Sequence, residues 1–152
     1  MYISYYKSPV GILTITCDEK CLTGLWFENQ IFDTSGFIEE ETEIIIYTKK
    51  WLDDYFLGNN HDYEMPLRFE GTKFQKKVWQ AMLTIPYGTT VSYKDLSLMV
   101  NSGPRAVGNA VGKNPIAIIV PCHRVIKNDG SIGGFAGHVD RKIELLEIEK
   151  VC

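Results

Sequence analysis

The sequence predicts an α+β fold assembled from two unlike parts, and three observations carry that expectation. Short strand-like runs separated by tight turns fill residues 2–27. From Gly71 onward, apolar residues recur at helical spacing behind residues suited to capping. The charge also reverses: residues 1–70 hold 5 Lys/Arg and 13 Asp/Glu, residues 71–152 hold 11 and 6, so −8 is followed by +5. The boundary falls between an α/β part with an antiparallel sheet, residues 1–66, and a mainly helical part, residues 67–152.

In the first part, Tyr2–Tyr6 and Ile12–Cys17 flank the turn Ser8-Pro9-Val10-Gly11, and Asp18-Glu19-Lys20 turns the chain into a third strand, Cys21–Phe27. A helix follows over 42–57, with Ile44, Tyr47, Trp51 and Tyr55 on one face as a core stripe and Gly58 suited to the C′ position. Residues 58–62, Gly-Asn-Asn-His-Asp, form a linker.

In the second part, Thr72 caps a helix running to about Thr84, with Val78 and Met82 inward and Lys73, Lys76 and Lys77 outward. Ser92 caps a second helix to about Val100, and Asp95 completes a capping box. Asn101-Ser102-Gly103 breaks it, and Pro104 opens a third helix to about Lys113. Helix, three-residue turn, helix is the spacing of a helix-turn-helix. Ala106, Gly108, Ala110 and Gly112 leave the third helix a small-residue surface that allows close approach to a helix or a nucleic-acid groove. The apolar run Ile116–Val120 is expected to be a buried strand ended by Pro121. Beyond it stand a thiol, Cys122, an imidazole, His123, and a guanidinium, Arg124. That grouping is either a reactive centre in electropositive surroundings or a structural cysteine. A glycine-rich loop, residues 131–137, precedes a last helix from Arg141 to about Lys150, with Ile143, Leu146 and Ile148 inward.

The totals exclude several classes. Apolar and charged fractions of 45% and 23% fit a globular protein, and no run is long enough to span a membrane. The N-terminus lacks a signal-peptide layout, so a cytoplasmic protein is expected. Four cysteines are too few for a disulfide framework, and Cys17 and Cys21 lack the partners of a zinc site, so no metal is expected. A basic half on an acidic chain points to a polyanionic partner.

With these residues in view, the second part resembles the O6-alkylguanine-DNA alkyltransferases, the methylated-DNA–protein-cysteine methyltransferases. The resemblance rests on Phe74-Gln75, Val78-Trp79, Ile85-Pro86-Tyr87-Gly88, Ser92-Tyr93, Arg105-Ala106-Val107-Gly108 and Asn114-Pro115. It continues through the box Val120–Ile126, Gly133 to Gly137, and Lys142, Leu145, Leu146 and Glu149. The first part matches more loosely, through Ser8-Pro9 and Gly11.

The resemblance implies a small RNase H-like N-terminal α/β domain and a helical C-terminal domain holding a winged-helix-like helix-turn-helix. It further implies a single-use repair protein that moves an alkyl group from O6-alkylguanine, and less readily O4-alkylthymine, in flipped-out duplex DNA to Cys122. His123 would form the thiolate through a water, Glu149 would orient the imidazole, and Asn114 would join the network. Tyr93 would rotate the nucleotide, Arg105 would fill the gap, and Ala106 and Gly108 would face the minor groove. Val125, Phe135, Ala136 and Gly137 would line the substrate pocket. No cofactor is implied, and the protein would act as a monomer. The chain departs from the family pattern in a shorter turn before Arg105 and in Phe135, Ala136 and His138. A recognition module without chemistry and a cysteine hydrolase are the competing readings. The first is disfavoured by Cys122, the second by the absence of a protease signature and by the helix-turn-helix.

Overall fold

The computed structural model describes residues 1–131 and 139–150. Phe135, Ala136 and Gly137, expected in the substrate pocket, lie outside the described residues, as does His138.

The first strands form as the alternation predicts. β1 (Tyr2–Ser8) pairs antiparallel with β2 (Gly11–Cys17), which pairs antiparallel with β3 (Leu22–Trp26). Gly11 turns the first hairpin with φ of 102°, a conformation that costs glycine no steric clash. A two-residue strand, β4 (Ile38–Glu39), lies parallel to β1 and gives the sheet the order β3-β2-β1-β4. The sequence offers too little pattern at β4 to announce it.

α1 (Glu43–Phe56) begins at Thr42, whose side chain accepts from the Ile45 N–H; it packs against β1 and β2 and buries Ile44, Ile45, Thr48, Leu52 and Tyr55. Its end is a Schellman motif. Gly58 has φ of 84°, its N–H donates to the Tyr55 carbonyl at 2.9 Å, and the Asn59 N–H donates to Asp54 at 2.9 Å. That closure fixes the turn bearing Tyr55.

α2 (Lys73–Met82) carries a full capping box between Thr72 and Gln75. A two-residue strand, β5 (Val91–Ser92), leads into α3 (Tyr93–Met99), which has its own capping box between Ser92 and Asp95. Val100 caps the end of α3, and Asn101, with φ of 54°, supplies the left-handed residue. The Asn101 N–H then donates to Leu98 and the Ser102 N–H to Ser97. Asparagine, not the glycine two positions on, therefore makes this turn. α4 (Pro104–Gly112) follows with Pro104 in its first turn, and buries Val107, Ala110 and Val111. The Trp79 indole N–H donates to the Ala110 carbonyl at 2.8 Å and ties α2 to α4. β6 (Val125–Ile126) lies parallel to β5.

Residues 116–120 do not form the expected strand. They are buried throughout, but they fold into a compact knot of turns. The Ile119 N–H donates to Ala117, the Val120 N–H to Ile116, and Ile118 adopts φ of 70°. The cause is Asn114, whose amide oxygen accepts from the Ile116 N–H and whose amide nitrogen donates to the Val120 carbonyl. A side chain thus spends both ends of the run locally, and a ladder cannot extend. Only Ile116 bridges to the sheet: the Leu25 N–H donates to the Pro115 carbonyl, and the Ala117 N–H donates to Leu25, at 2.9 and 3.0 Å. With the Leu22–Leu67 bridge, this covers the outer edge of β3.

α5 (Val139–Ile148) also departs from expectation. Ile143 faces out, and the inward face is Lys142, Leu145, Leu146 and, one residue past the helix, Glu149. Spacing alone favours the isoleucine; the charged residues win because a polar site lies beneath that face. Among the described residues, no helix is long and apolar enough to cross a membrane.

Candidate active site

The knot delivers Cys122 into the interior. Cys122–Arg124 form one turn of 3-10 helix, not the extended segment anticipated, and the Cys122 N–H donates to Val120 at 2.8 Å. Cys122 is 4% exposed and His123 is fully buried. The Asn114 amide that ties the knot also acts on the Cys122 thiol, which it draws down. Burial pushes the Cys122 thiol up to about 11, against the smaller lowering pull of Asn114 and the Lys142 charge. At neutral pH the resting group is a thiol, because desolvation of the anion outweighs its two stabilising neighbours.

His123 and Glu149 form a buried contact, Nε2 to Oε2 at 2.5 Å. Glu149 is held from several directions. It accepts from the Tyr55 hydroxyl at 2.6 Å, from Arg124 Nε and Nη2 at 2.7 and 3.1 Å, and from the Gly88 N–H at 3.3 Å. Burial raises this carboxyl, but the His123 contact, Arg124 and Tyr55 outweigh it and bring it down to about 2. Burial in turn lowers the imidazole, so His123 is neutral beside an ionised carboxylate. Nε2 then carries the proton and Nδ1 keeps its lone pair. Nδ1 is buried and meets no protein hydrogen-bond partner among the described residues. The buried residue that follows the Cys122 thiol in sequence thus carries an acceptor nitrogen.

Lys142 is buried, donates to the Val125 carbonyl at 2.6 Å and is lowered by burial to about 8. Tyr93, at the start of α3, is half-buried; burial, and the negative charge that Cys122 carries once ionised, push its phenol up. Cys122, His123, Glu149, Asn114, Val125 and Tyr93 thus lie in one region of the interior. Arg105 and Ala106 are exposed on α4 instead, and an added Cβ at Gly108 or Gly112 would meet nothing within 4 Å. A cleft of about 640 Å³ reaches Tyr55, Tyr87 and Arg124, and Cys122 is not among the described residues that line it. Among the described residues, no group of three His, Cys, Asp or Glu side chains is placed to hold a metal ion.

Two family models match this chain. One, described as the ribonuclease-like domain of 6-O-methylguanine DNA methyltransferase, spans residues 1–69; the other, the DNA binding domain of the same family, spans residues 73–151. The chain belongs to the 6-O-methylguanine DNA methyltransferase family. A methylated-DNA–protein-cysteine methyltransferase of Haemophilus influenzae is 39% identical over 99% of this chain and 87% of its own length. One of Mycobacterium leprae is 43% identical over 94% and 88%. The Mycobacterium tuberculosis OGT structure in complex with DNA superposes with a TM-score of 0.92 at 40% identity, over 99% of this chain and 93% of that one. This member of the methyltransferase family is accordingly a mixed α+β protein and a methylated-DNA–protein-cysteine methyltransferase.

Three groups in this methyltransferase were not legible as site residues in the sequence. Tyr55 sits in what read as a core stripe, Arg124 was only a cation beside the thiol, and Lys142 was only part of the family match. The available signal was chemical. A tyrosine where phenylalanine would fill the space, or a lysine on an inward face, needs a polar partner when buried.

Proposed function

We propose that the chain repairs alkylated DNA by one irreversible transfer, in which the Cys122 thiolate takes the alkyl group from O6 of guanine. The observation that carries this reading is the buried His123–Glu149 pair, 2.5 Å apart, directly after the buried Cys122 in the same helical turn. In this reading His123 Nδ1 accepts the Cys122 proton through one bridging water, and Glu149 stabilises the imidazolium across Nε2. The thiolate then attacks the alkyl carbon as the carbon–O6 bond breaks. The guanine leaves as its anion, and the proton passes back through solvent to N1. The thioether has no leaving group at neutral pH, so each molecule acts once.

Access supports base extrusion, because a thiol this deeply buried does not reach a stacked base. We assign the α3–α4 pair to the minor groove, with Arg105 filling the gap, Ala106 and Gly108 allowing close approach, and Tyr93 turning the nucleotide. Phosphate contacts from the basic half offset part of the extrusion cost. We take the unit to be a cytoplasmic monomer of two domains, 1–66 and 67–152, acting on O6-alkylguanine before O4-alkylthymine.

Intact-mass spectrometry after incubation with duplex DNA carrying O6-methylguanine tests this. The protein is expected to gain one CH2 per molecule, and Cys122→Ser to gain none. Repaired DNA with unmodified protein would overturn the reading.

A further inference from the structure

The first 70 residues send one polar group into the described network, and that group is the Tyr55 hydroxyl. It donates to Glu149 Oε2 at 2.6 Å, and its oxygen lies 3.4 Å from His123 Nε2. His123 addresses the same carboxylate oxygen. Tyr55 is 2% exposed, its ring stacks on Trp51 at 5.5 Å and meets Tyr87 edge-on at 6.3 Å, and the Schellman closure of α1 holds its turn. The hydroxyl is therefore fixed in position.

A carboxylate offers about four lone-pair directions, and each donor that takes one reduces what remains for the others. We propose that Tyr55 is a positioning residue whose hydroxyl competes with His123 for Glu149 Oε2, and so limits how firmly the site holds a proton on His123. This rests on the reading of His123 as the base that takes the thiol proton. An imidazole gripped too strongly by its carboxylate would stay protonated at neutral pH and could accept nothing. The other charged and titratable groups facing His123 are Glu149 and Lys142 from α5 and its end, Arg124 from its own turn, and Cys122 beside it. Tyr87 faces Glu149 from the turn after α2. Arg124 and Lys142 oppose protonation by charge, so Tyr55 and Arg124 act in the same direction by different means.

The test uses the full chain with Tyr55→Phe, which keeps the ring and removes the donor. The His123 imidazole is titrated by nitrogen NMR in the unalkylated protein, and alkyl transfer from duplex O6-methylguanine is followed against pH. The His123 midpoint is expected to move up by about half a pH unit or more, part of the roughly one to two units that a whole hydrogen bond to a charged group is worth. The acid limb of the rate profile should move with it by the same amount. A ring-fluorinated tyrosine at position 55, a stronger donor, should move the midpoint down. An unmoved midpoint in both variants would overturn the proposal. If the midpoint moves but the rate profile ignores it, the Tyr55 assignment stands and the reading of His123 as the base fails.

Discussion

Arg124 grips Glu149 with two nitrogens, Nε to Oε1 at 2.7 Å and Nη2 to Oε2 at 3.1 Å, while Nη1 donates to the Ile85 carbonyl at 2.7 Å. The guanidinium also lies 5.6 Å from the centre of the Tyr87 ring. One planar fork therefore binds a carboxylate, a backbone carbonyl and an aromatic face at once. A lysine has the charge but not the fork. Arg124→Lys is expected to lose about 2 kcal/mol of stability, and Arg124→Ala about 3–5 kcal/mol because it strands a buried carboxylate. Urea unfolding of both variants measures this, and a lysine variant as stable as the parent would refute the role of the fork.

Acid should unfold the protein through the same carboxylate. The folded Glu149 value, about 2, lies below the ordinary 4.5, so its contribution is complete above pH 4.5 and is lost as pH falls towards 2. His123 is lowered by burial from 6.5, so it acts with the same sign and begins to cost stability below that pH. Glu149→Gln should thus be less stable than the parent at neutral pH, with the gap closing between pH 4.5 and 2. Urea midpoints across that range decide the matter, and a constant gap would count against the depressed carboxyl.

Asn114 joins architecture to chemistry. Its amide pairs with the Ile116 N–H at 3.0 Å and the Val120 carbonyl at 2.8 Å, and it draws the Cys122 thiol down against the pull of burial. Asn114→Ala leaves two buried backbone groups unpaired, with an expected cost of about 2–4 kcal/mol. It should also raise the thiol's titration midpoint further, which thiolate absorbance would register in a chain whose other cysteines are replaced. A destabilised variant with an unshifted thiol would separate the two roles.

Arg105 stands exposed at the start of α4, away from the Cys122 network. Arg105→Ala is therefore expected to slow transfer from duplex DNA tenfold or so, about 1.4 kcal/mol, and to leave transfer from a free O6-alkylguanine base within about twofold. Equal losses on both substrates would remove Arg105 from base extrusion.

The strands, the capping boxes of α2 and α3 and the start of α4 were legible because they depend on neighbours in sequence. The polar site was partly legible, since Cys122 and His123 are adjacent and Glu149 came with the family motif. What failed was each feature decided by distant partners. Ile116–Val120 has the composition of a strand, but Asn114 takes its terminal backbone groups and turns it into a knot. Ile143 fits an inward helical position, but the site beneath claims Lys142 and Glu149 instead. Tyr55 looked like one more ring in an apolar stripe, because nothing nearby announces a carboxylate 94 positions later. Depth of burial, which residues adjacent in sequence do not announce, likewise decides the titration of Cys122.

The bridge between Leu25 and Ile116 has a kinetic consequence. These residues are about 90 positions apart, so their pairing closes a long loop whose entropy no local helix repays. The knot that presents Cys122 can lean on β3 only after β3 has its partners. The reactive centre should thus gain protection late in refolding, after the helices, and the amides of Leu25 and Ala117 should become slow to exchange in the same phase.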